Sequence, residues 1–294
     1  MKRHAYLILA HCNFRQLHKL VRLLDDPRND IYLHVDRKAA FDSQGWAGTC
    51  SHSVLSFISP RIRVNWGGVS IMRAELALLK AATQAGHYDY YHLLSGADLP
   101  IKDQDTIHDF FDRHSGEEFL DFWEFKDDTE DRIRLYTPFP EWERNFIGHA
   151  VNKVCRKLQT ATGYRQNRSL RIGYASQWFS ITDSLARYAV SREEWLERVF
   201  GHTRICDEIF FATLVINSPF RDRLFDAAES HDCMACNGNM RFVDWTRGTS
   251  IRHPWTLRSE DWDLLMKVPH FWARKFDENI DSGIIERIYE YLKK

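Results

Sequence analysis

Over the first 115 residues, short apolar runs alternate with segments of helical period, and no other feature of the chain restricts its fold as strongly. The runs are 4–11, 31–36, 57–62 and 89–94, and the helical segments are 14–24, 69–85 and 104–113. In 14–24, Leu17, Leu20, Val21 and Leu24 recur on one helical face, and Asp25-Asp26-Pro27 ends the segment. Strands covered on both faces read as continuous apolar runs, as 4–11 and 89–94 do. This order predicts an α/β domain with a mostly parallel central sheet flanked by helices.

Open parallel sheets take their ligands outside the carboxyl ends of the strands, so the polar residues closing each run matter most. Asp36 closes 31–36, and Asp98 sits in the small-residue turn Ser95-Gly96-Ala97-Asp98 after 89–94. An ordinary turn closed by Pro100 is the competing reading of Asp98. Asp207-Glu208 precedes the apolar segment 209–214. Acidic residues in a first helical turn favour the helix dipole, while a Glu208 held over a cleft could serve as a general base. Near the end of the chain, Arg252 in Arg252-His253-Pro254 and the pair Arg274-Lys275 stand among aromatic residues. Such cations are suited to a buried diphosphate, or else they are surface charges on an aromatic-packed loop.

Other readings bound the problem. With 40 basic and 41 acidic residues, the net charge of −1 gives no global case for nucleic-acid binding. Six dispersed cysteines read as free thiols; Cys233 and Cys236 have zinc-ligand spacing near His231, but one such pair is a weak signal. There is no dinucleotide or P-loop glycine motif. No run reaches the roughly 18 apolar residues of a membrane span, and no leader is visible, so the expected location is cytoplasmic, with at most peripheral membrane association. The basic, amphipathic stretch 145–166, with Lys153, Arg156, Lys157, Arg165 and, just beyond it, Arg168, reads as a solvated helix face, with contact to a partner as the alternative. Strands are expected at 119–125 and 176–182, and helices at 183–198, 207–215, 258–265 and 284–292. With no linker or repeat, 1–294 reads as one domain.

Seven blocks in order carry a family resemblance: 34–38 (His-Val-Asp-Arg-Lys), 64–68 (Val-Asn-Trp-Gly-Gly), 93–101 (Leu-Leu-Ser-Gly-Ala-Asp-Leu-Pro-Ile), 176–179 (Ser-Gln-Trp-Phe), 207–211 (Asp-Glu-Ile-Phe-Phe), 241–245 (Arg-Phe-Val-Asp-Trp) and 271–277. Together they resemble the Core-2/I-branching enzymes, glycosyltransferase family 14, with Leu99 where tyrosine is usual. The resemblance implies a GT-A-like fold and an inverting, metal-independent transfer from a UDP-sugar, with no cofactor. It implies that Asp36 holds the uracil, with Lys38 and Trp66 lining the nucleotide pocket. Arg252, Arg274 and Lys275 would neutralise the diphosphate. Glu208 would deprotonate the acceptor hydroxyl, Asp98 would orient a sugar, and Trp245 would stack on the acceptor. Residues 1–115 would then be the nucleotide-sugar half and 116–294 the acceptor and catalytic half. Metal-dependent relatives of such enzymes present Asp-x-Asp at a strand end; here that place reads Ser-Gly-Ala-Asp. The other acidic run, 127–131, sits in polar company.

The chain resembles a bacterial, catalytic-domain-only member, with a glycan, lipid-linked glycan or protein hydroxyl as acceptor. GlcNAc leads as the transferred sugar, with UDP-xylose-dependent O-xylosyl transfer as the alternative. An inactive nucleotide- or glycan-binding relative is a further alternative, opposed by the joint presence of Glu208, Asp98 and Lys275. A hydrolase would need two carboxyls roughly 5 to 9 Å apart and would leave the cations without a task.

Overall fold

A computed structural model describes residues 2–125, 128–228, 238–247 and 253–293. Its centre is a six-stranded sheet in the order β3-β2-β1-β4-β7-β6. The strands are β1 (His4–Ala10), β2 (Asn29–Val35), β3 (Val54–Phe57), β4 (Tyr90–Ser95), β6 (Phe119–Phe122) and β7 (Ala175–Thr182). β3, β2, β1 and β4 are parallel to one another; β7 is antiparallel to β4, and β6 to β7. The expected mostly parallel sheet flanked by helices is what the chain forms.

Strand period two divides β1 between two cores. Ala5, Leu7 and Leu9 face one, built with helix α2 (Ser70–Ala85), α6 (Asp183–Ser191) and α8 (Phe210–Ile216). Tyr6, Ile8 and Ala10 face the other, built with α1 (Phe14–Leu23), α3 (Gln104–Arg113) and α10 (Ser282–Leu292). Leu17, Leu20, Val21 and Leu24 are all inaccessible to solvent, and burying each such side chain is worth about 1.5–3 kcal/mol. The periodicity read from the sequence therefore marks the face that holds α1 to the sheet.

A second, three-stranded sheet lies on this side in the order β5-β9-β8, from β5 (Leu99–Pro100), β9 (Trp272–Arg274) and β8 (Arg241–Val243). β5 leaves the Asp98 turn and pairs antiparallel with β9, Leu99 opposite Ala273. β8 runs parallel to β9, with Val243 opposite Arg274. Fewer than four residues separate β4 from this sheet, so the end of the chain is brought back against the Asp98 turn.

Several expectations shift: the strand expected at 119–125 ends at Phe122, and the helix expected at 258–265 runs over Trp262–Lys267. The third strand is Val54–Phe57 rather than 57–62, because Pro60 lacks the donor that a ladder requires. The helix expected at 183–198 is two helices, α6 and α7 (Glu193–Phe200), separated at Arg192. The helix expected from 207 starts at Phe210, so Asp207 and Glu208 lie in the turn before it rather than in its first turn. The remaining helices are α4 (Thr129–Arg134), α5 (Phe146–Thr162) and α9 (Trp262–Lys267). Among the described residues, no helix is long and apolar enough to cross a membrane.

Candidate active site

The parallel register sends the carboxyl ends of β1, β2 and β4 to one edge: Leu9 is opposite both His34 and Ser95. Asp36 and Asp98 therefore follow the ends of the two strands that flank β1, on the same rim. Asp36 is buried; its Oδ1 accepts from the Lys38 amide at 2.9 Å and more weakly from Val64 N at 3.4 Å. Lys38 Nζ returns over the same carboxylate, 3.5 Å from Oδ2. Trp66 is half exposed on the next loop, with the Arg144 guanidinium 4.4 Å from its ring centre.

The Trp66-Gly67-Gly68 loop owes its shape to its glycines. Gly67 has φ +72°, a left-handed conformation that glycine adopts without steric cost. At Gly68 a Cβ would stand 2.6 Å from the Glu141 carboxylate. That carboxylate accepts from Ser70 N at 2.7 Å, Ser70 Oγ at 2.8 Å and Asn65 Nδ2 at 2.8 Å, at the start of α2, where negative charge is favoured. Gly67 O also accepts from Ile205 N at 2.9 Å, which ties the loop to the turn carrying Glu208.

Asp98 is buried at the turn that ends β4. Its Oδ2 accepts from Ser95 N at 2.6 Å, while Oδ1 faces Arg274 Nε at 3.5 Å. Burial pushes the Asp98 carboxyl above the usual range, and Arg274, the Ser95 amide and Arg241 oppose the shift without cancelling it. Arg274 also lies over Trp178, 4.2 Å from the ring centre. Lys275 follows directly, and no described carboxylate lies within ion-pair distance of it. Trp245, two residues past β8, is partly exposed beside the same strand ends. Arg252, and with it Cys233, Cys236, His231 and Asp127, lies outside the described residues.

Glu208 reaches the rim from the turn before α8, where its carbonyl accepts from Ala175 N at the start of β7. Because β7 is antiparallel to β4, that start lies at the edge where β4 ends. Glu208 Oε2 accepts from Arg132 Nη1 at 2.8 Å. Arg132 also donates to Asp128 at 3.1 Å; burial works against its charge, but Glu208 and Asp128 outweigh burial and raise its pKa.

Sequence reading gave Asp207 only a helix-capping role, and it missed Glu75 and the part played by Arg241. Asp207 turns its Oδ1 into a solvent-free space where it has no hydrogen-bond partner, and burial, then the Glu208 charge, push it up to about 7. Glu75 of α2 is wholly buried, held by Gln177 Nε2 at 2.8 Å, and pushed well above the carboxylate range by burial. A glutamate on the apolar face of α2, between Ala74 and Leu76, was the available signal. Arg241 is fully buried, donates to the carbonyls of Leu93 (3.1 Å) and Phe179 (2.6 Å), and is pushed down to about 9 by burial, with Asp98 opposing. It joins the two sheets beneath the Asp98 turn. Among the described residues, no group of three or more His, Cys, Asp or Glu could hold a metal ion.

Residues 4–265 match the model of the Core-2/I-branching enzyme family. Rat xylosyltransferase 2 is 24% identical over 96% of this chain, and Caenorhabditis briggsae xylosyltransferase sqv-6 is 25% identical over 93%. The chain spans about a third of the length of these relatives, 33% and 34% respectively. Among solved structures, apo mouse xyloside xylosyltransferase 1 overlays with a TM-score of 0.42 at 10% identity, covering 93% of this chain and 97% of that one.

Proposed function

The chain belongs to the Core-2/I-branching enzyme family, and on that premise we propose that it is an inverting glycosyltransferase that moves a sugar from a UDP-sugar to an acceptor hydroxyl without a divalent metal. The observation that carries this reading is the pairing of β5 with β9, which sets Arg274 beside Asp98, with Lys275 next in the chain, at the rim that also holds Asp36 and Glu208. In the reaction, the acceptor oxygen attacks the anomeric carbon, and the bond to the β-phosphate oxygen breaks. Its electron pair leaves with UDP. Glu208 takes the hydroxyl proton, and Arg274, Lys275 and Arg252 meet the developing phosphate charge. Preorganised cations in a partly desolvated site do this without reorganisation. Asp36, Lys38 and Trp66 bind the nucleotide, Asp98 orients a sugar, and Trp245 offers the acceptor a stacking face. Residues 1–115 act as the nucleotide-sugar half and 116–294 as the acceptor and catalytic half of one cytoplasmic domain.

One step then suffices, because a single base, a charge sink and positioning are all that an in-line displacement requires. GlcNAc is the first candidate for the transferred sugar. Xylose is the second, and the names of the relatives favour it. Incubation with UDP-GlcNAc, UDP-xylose and other UDP-sugars, with glycan, lipid-linked glycan and peptide acceptors, tests the reading through acceptor-dependent UDP release and product mass. Release of free sugar from glycans with no UDP-sugar consumed would favour a hydrolase instead.

A further inference from the structure

Helix α5 is attached to the molecule by its polar face. Asn152 donates to Phe139 O at 2.9 Å and Glu143 Oε2 at 3.0 Å, and accepts from Phe139 N at 3.1 Å. Gln159 both donates to Tyr136 O and accepts from Tyr136 N at 2.8 Å. The buried residues of α5 are Gly148, Asn152 and Gln159. An ordinary surface helix buries its apolar stripe and exposes its polar one; α5 is inverted. Ile147, Val151, Val154 and Leu158, one stripe at helical spacing, point outward with 41–67% of their surface exposed. Trp142 and Phe146 extend the stripe at the start of the helix, and Tyr164 extends it past the end.

The charges that α5 itself carries are all basic. Between Glu143 and Asp183 the chain carries seven Lys or Arg residues and no carboxylate, in a protein whose net charge is −1. Lys153 and Lys157 are exposed along one flank of the stripe and make no ion pair with a described residue. They line an open groove of about 400 Å³ with Arg156, Arg204 and one carboxylate, Asp131, whereas Tyr136, Leu158 and Tyr164 line an apolar groove of about 360 Å³ on the opposite side. Burial, then the neighbouring Arg156 charge, lowers the pKa of Arg204, with Asp128 and Glu143 opposing.

We propose that α5 and its flanking aromatics form a docking face for an anionic lipid bilayer, on which the helix lies in the plane of the headgroups. An apolar stripe bordered by lysines, with tryptophan and tyrosine at its ends, matches the chemistry of such an interface. Anionic headgroups supply the negative charge that the fold does not provide for Lys153 and Lys157. The face adjoins the candidate site: Arg144 at the start of α5 packs on Trp66, and Arg204 shares Asp128 with Arg132, which holds Glu208. Docking would therefore bring the rim close to acceptors borne by the membrane. The proposal does not depend on the transfer reaction.

The full chain is to be sedimented with vesicles of phosphatidylcholine alone and of phosphatidylcholine with phosphatidylglycerol in equal parts, at low and high salt. Binding is expected to the anionic vesicles and to weaken with salt. Val154→Glu with Leu158→Glu, and separately Lys153→Glu with Lys157→Glu, should each lower the bound fraction about tenfold. Both variants should unfold at the wild-type temperature and bind UDP as wild type does. Either pair alone tests the claim if the other does not fold. No binding to anionic vesicles, or binding that neither pair reduces, overturns the proposal. So does a dimer in solution that Val154→Glu converts to monomer, since a second copy would then cover the face.

Discussion

Asp98 Oδ1 lies 3.5 Å from Arg274 Nε, and no hydrogen bond satisfies that buried oxygen. The carboxylate is therefore held by a long ion pair on one side and by the Ser95 amide on the other, and its pKa remains above the usual range. A carboxyl raised by folding costs the folded state stability once it ionises, a cost that appears as pH rises past the unfolded value. Asp98→Asn mimics the neutral form and keeps an acceptor for Ser95 N. It should match or exceed wild-type thermal stability near neutrality, while transfer falls by about 10². A clear loss of stability would mean that the Arg274 pair outweighs burial.

Lys275 is the next cation along from Arg274 and has no described carboxylate partner. Lys275→Ala should weaken UDP binding by roughly 10- to 100-fold, corresponding to one charge-assisted hydrogen bond of about 1.5–3 kcal/mol. Calorimetric titration with UDP measures this directly. Unchanged affinity would remove Lys275 from the diphosphate site.

Glu208→Gln keeps the size of the side chain and an oxygen for Arg132 Nη1, but cannot accept a proton. Turnover should fall by about 10² to 10⁴ while UDP affinity stays near wild type. Near wild-type transfer would transfer the role of base to another carboxylate, first to Asp207, whose pKa lies at about 7.

Away from the site, His4, His92 and His108 form a buried cluster, with the His4 and His108 rings stacked at 3.9 Å and His92 Nε2 3.1 Å from His4 Nδ1. Burial, then Arg28, push His108 down to about 4. Below the unfolded value of about 6.5, the unfolded chain takes a proton that the folded chain refuses. The stability given by neutral His108 is thus present above that pH and is lost as pH falls towards about 4. His108→Gln keeps a donor for Asn29 Oδ1 and removes the titration. Wild type should lose about 2 kcal/mol more than the variant between roughly pH 7 and 5, measured by chemical unfolding. Equal losses would contradict the assignment.

The parts of this molecule legible in its sequence are those set by local pattern. Leu17, Leu20, Val21 and Leu24 announced α1, and the uniform apolar runs announced strands covered on both faces. Asp36 and Asp98 were legible as the carboxylates that close two apolar runs of the parallel sheet, although the fold buries both. What sequence could not convey was long-range pairing. The partnership of Glu208 with Arg132, 76 positions apart, and of Asp98 with Arg274 depends on β7 and β9 returning to the β4 edge. The inverted orientation of α5 escaped for a related reason. Its amphipathic period is visible, but which stripe faces inward is decided by the backbone groups of Tyr136 and Phe139, which need Gln159 and Asn152 as partners.

The central claim is that protein cations do the work a divalent metal does elsewhere. Acceptor-dependent UDP release should be measured before and after exhaustive EDTA treatment, and again with Mn²⁺ restored, for wild type and Lys275→Ala. Wild type should keep nearly all of its rate in EDTA, and Mn²⁺ should not rescue Lys275→Ala. Loss of wild-type transfer on chelation, recovered by Mn²⁺, would contradict the metal-free mechanism.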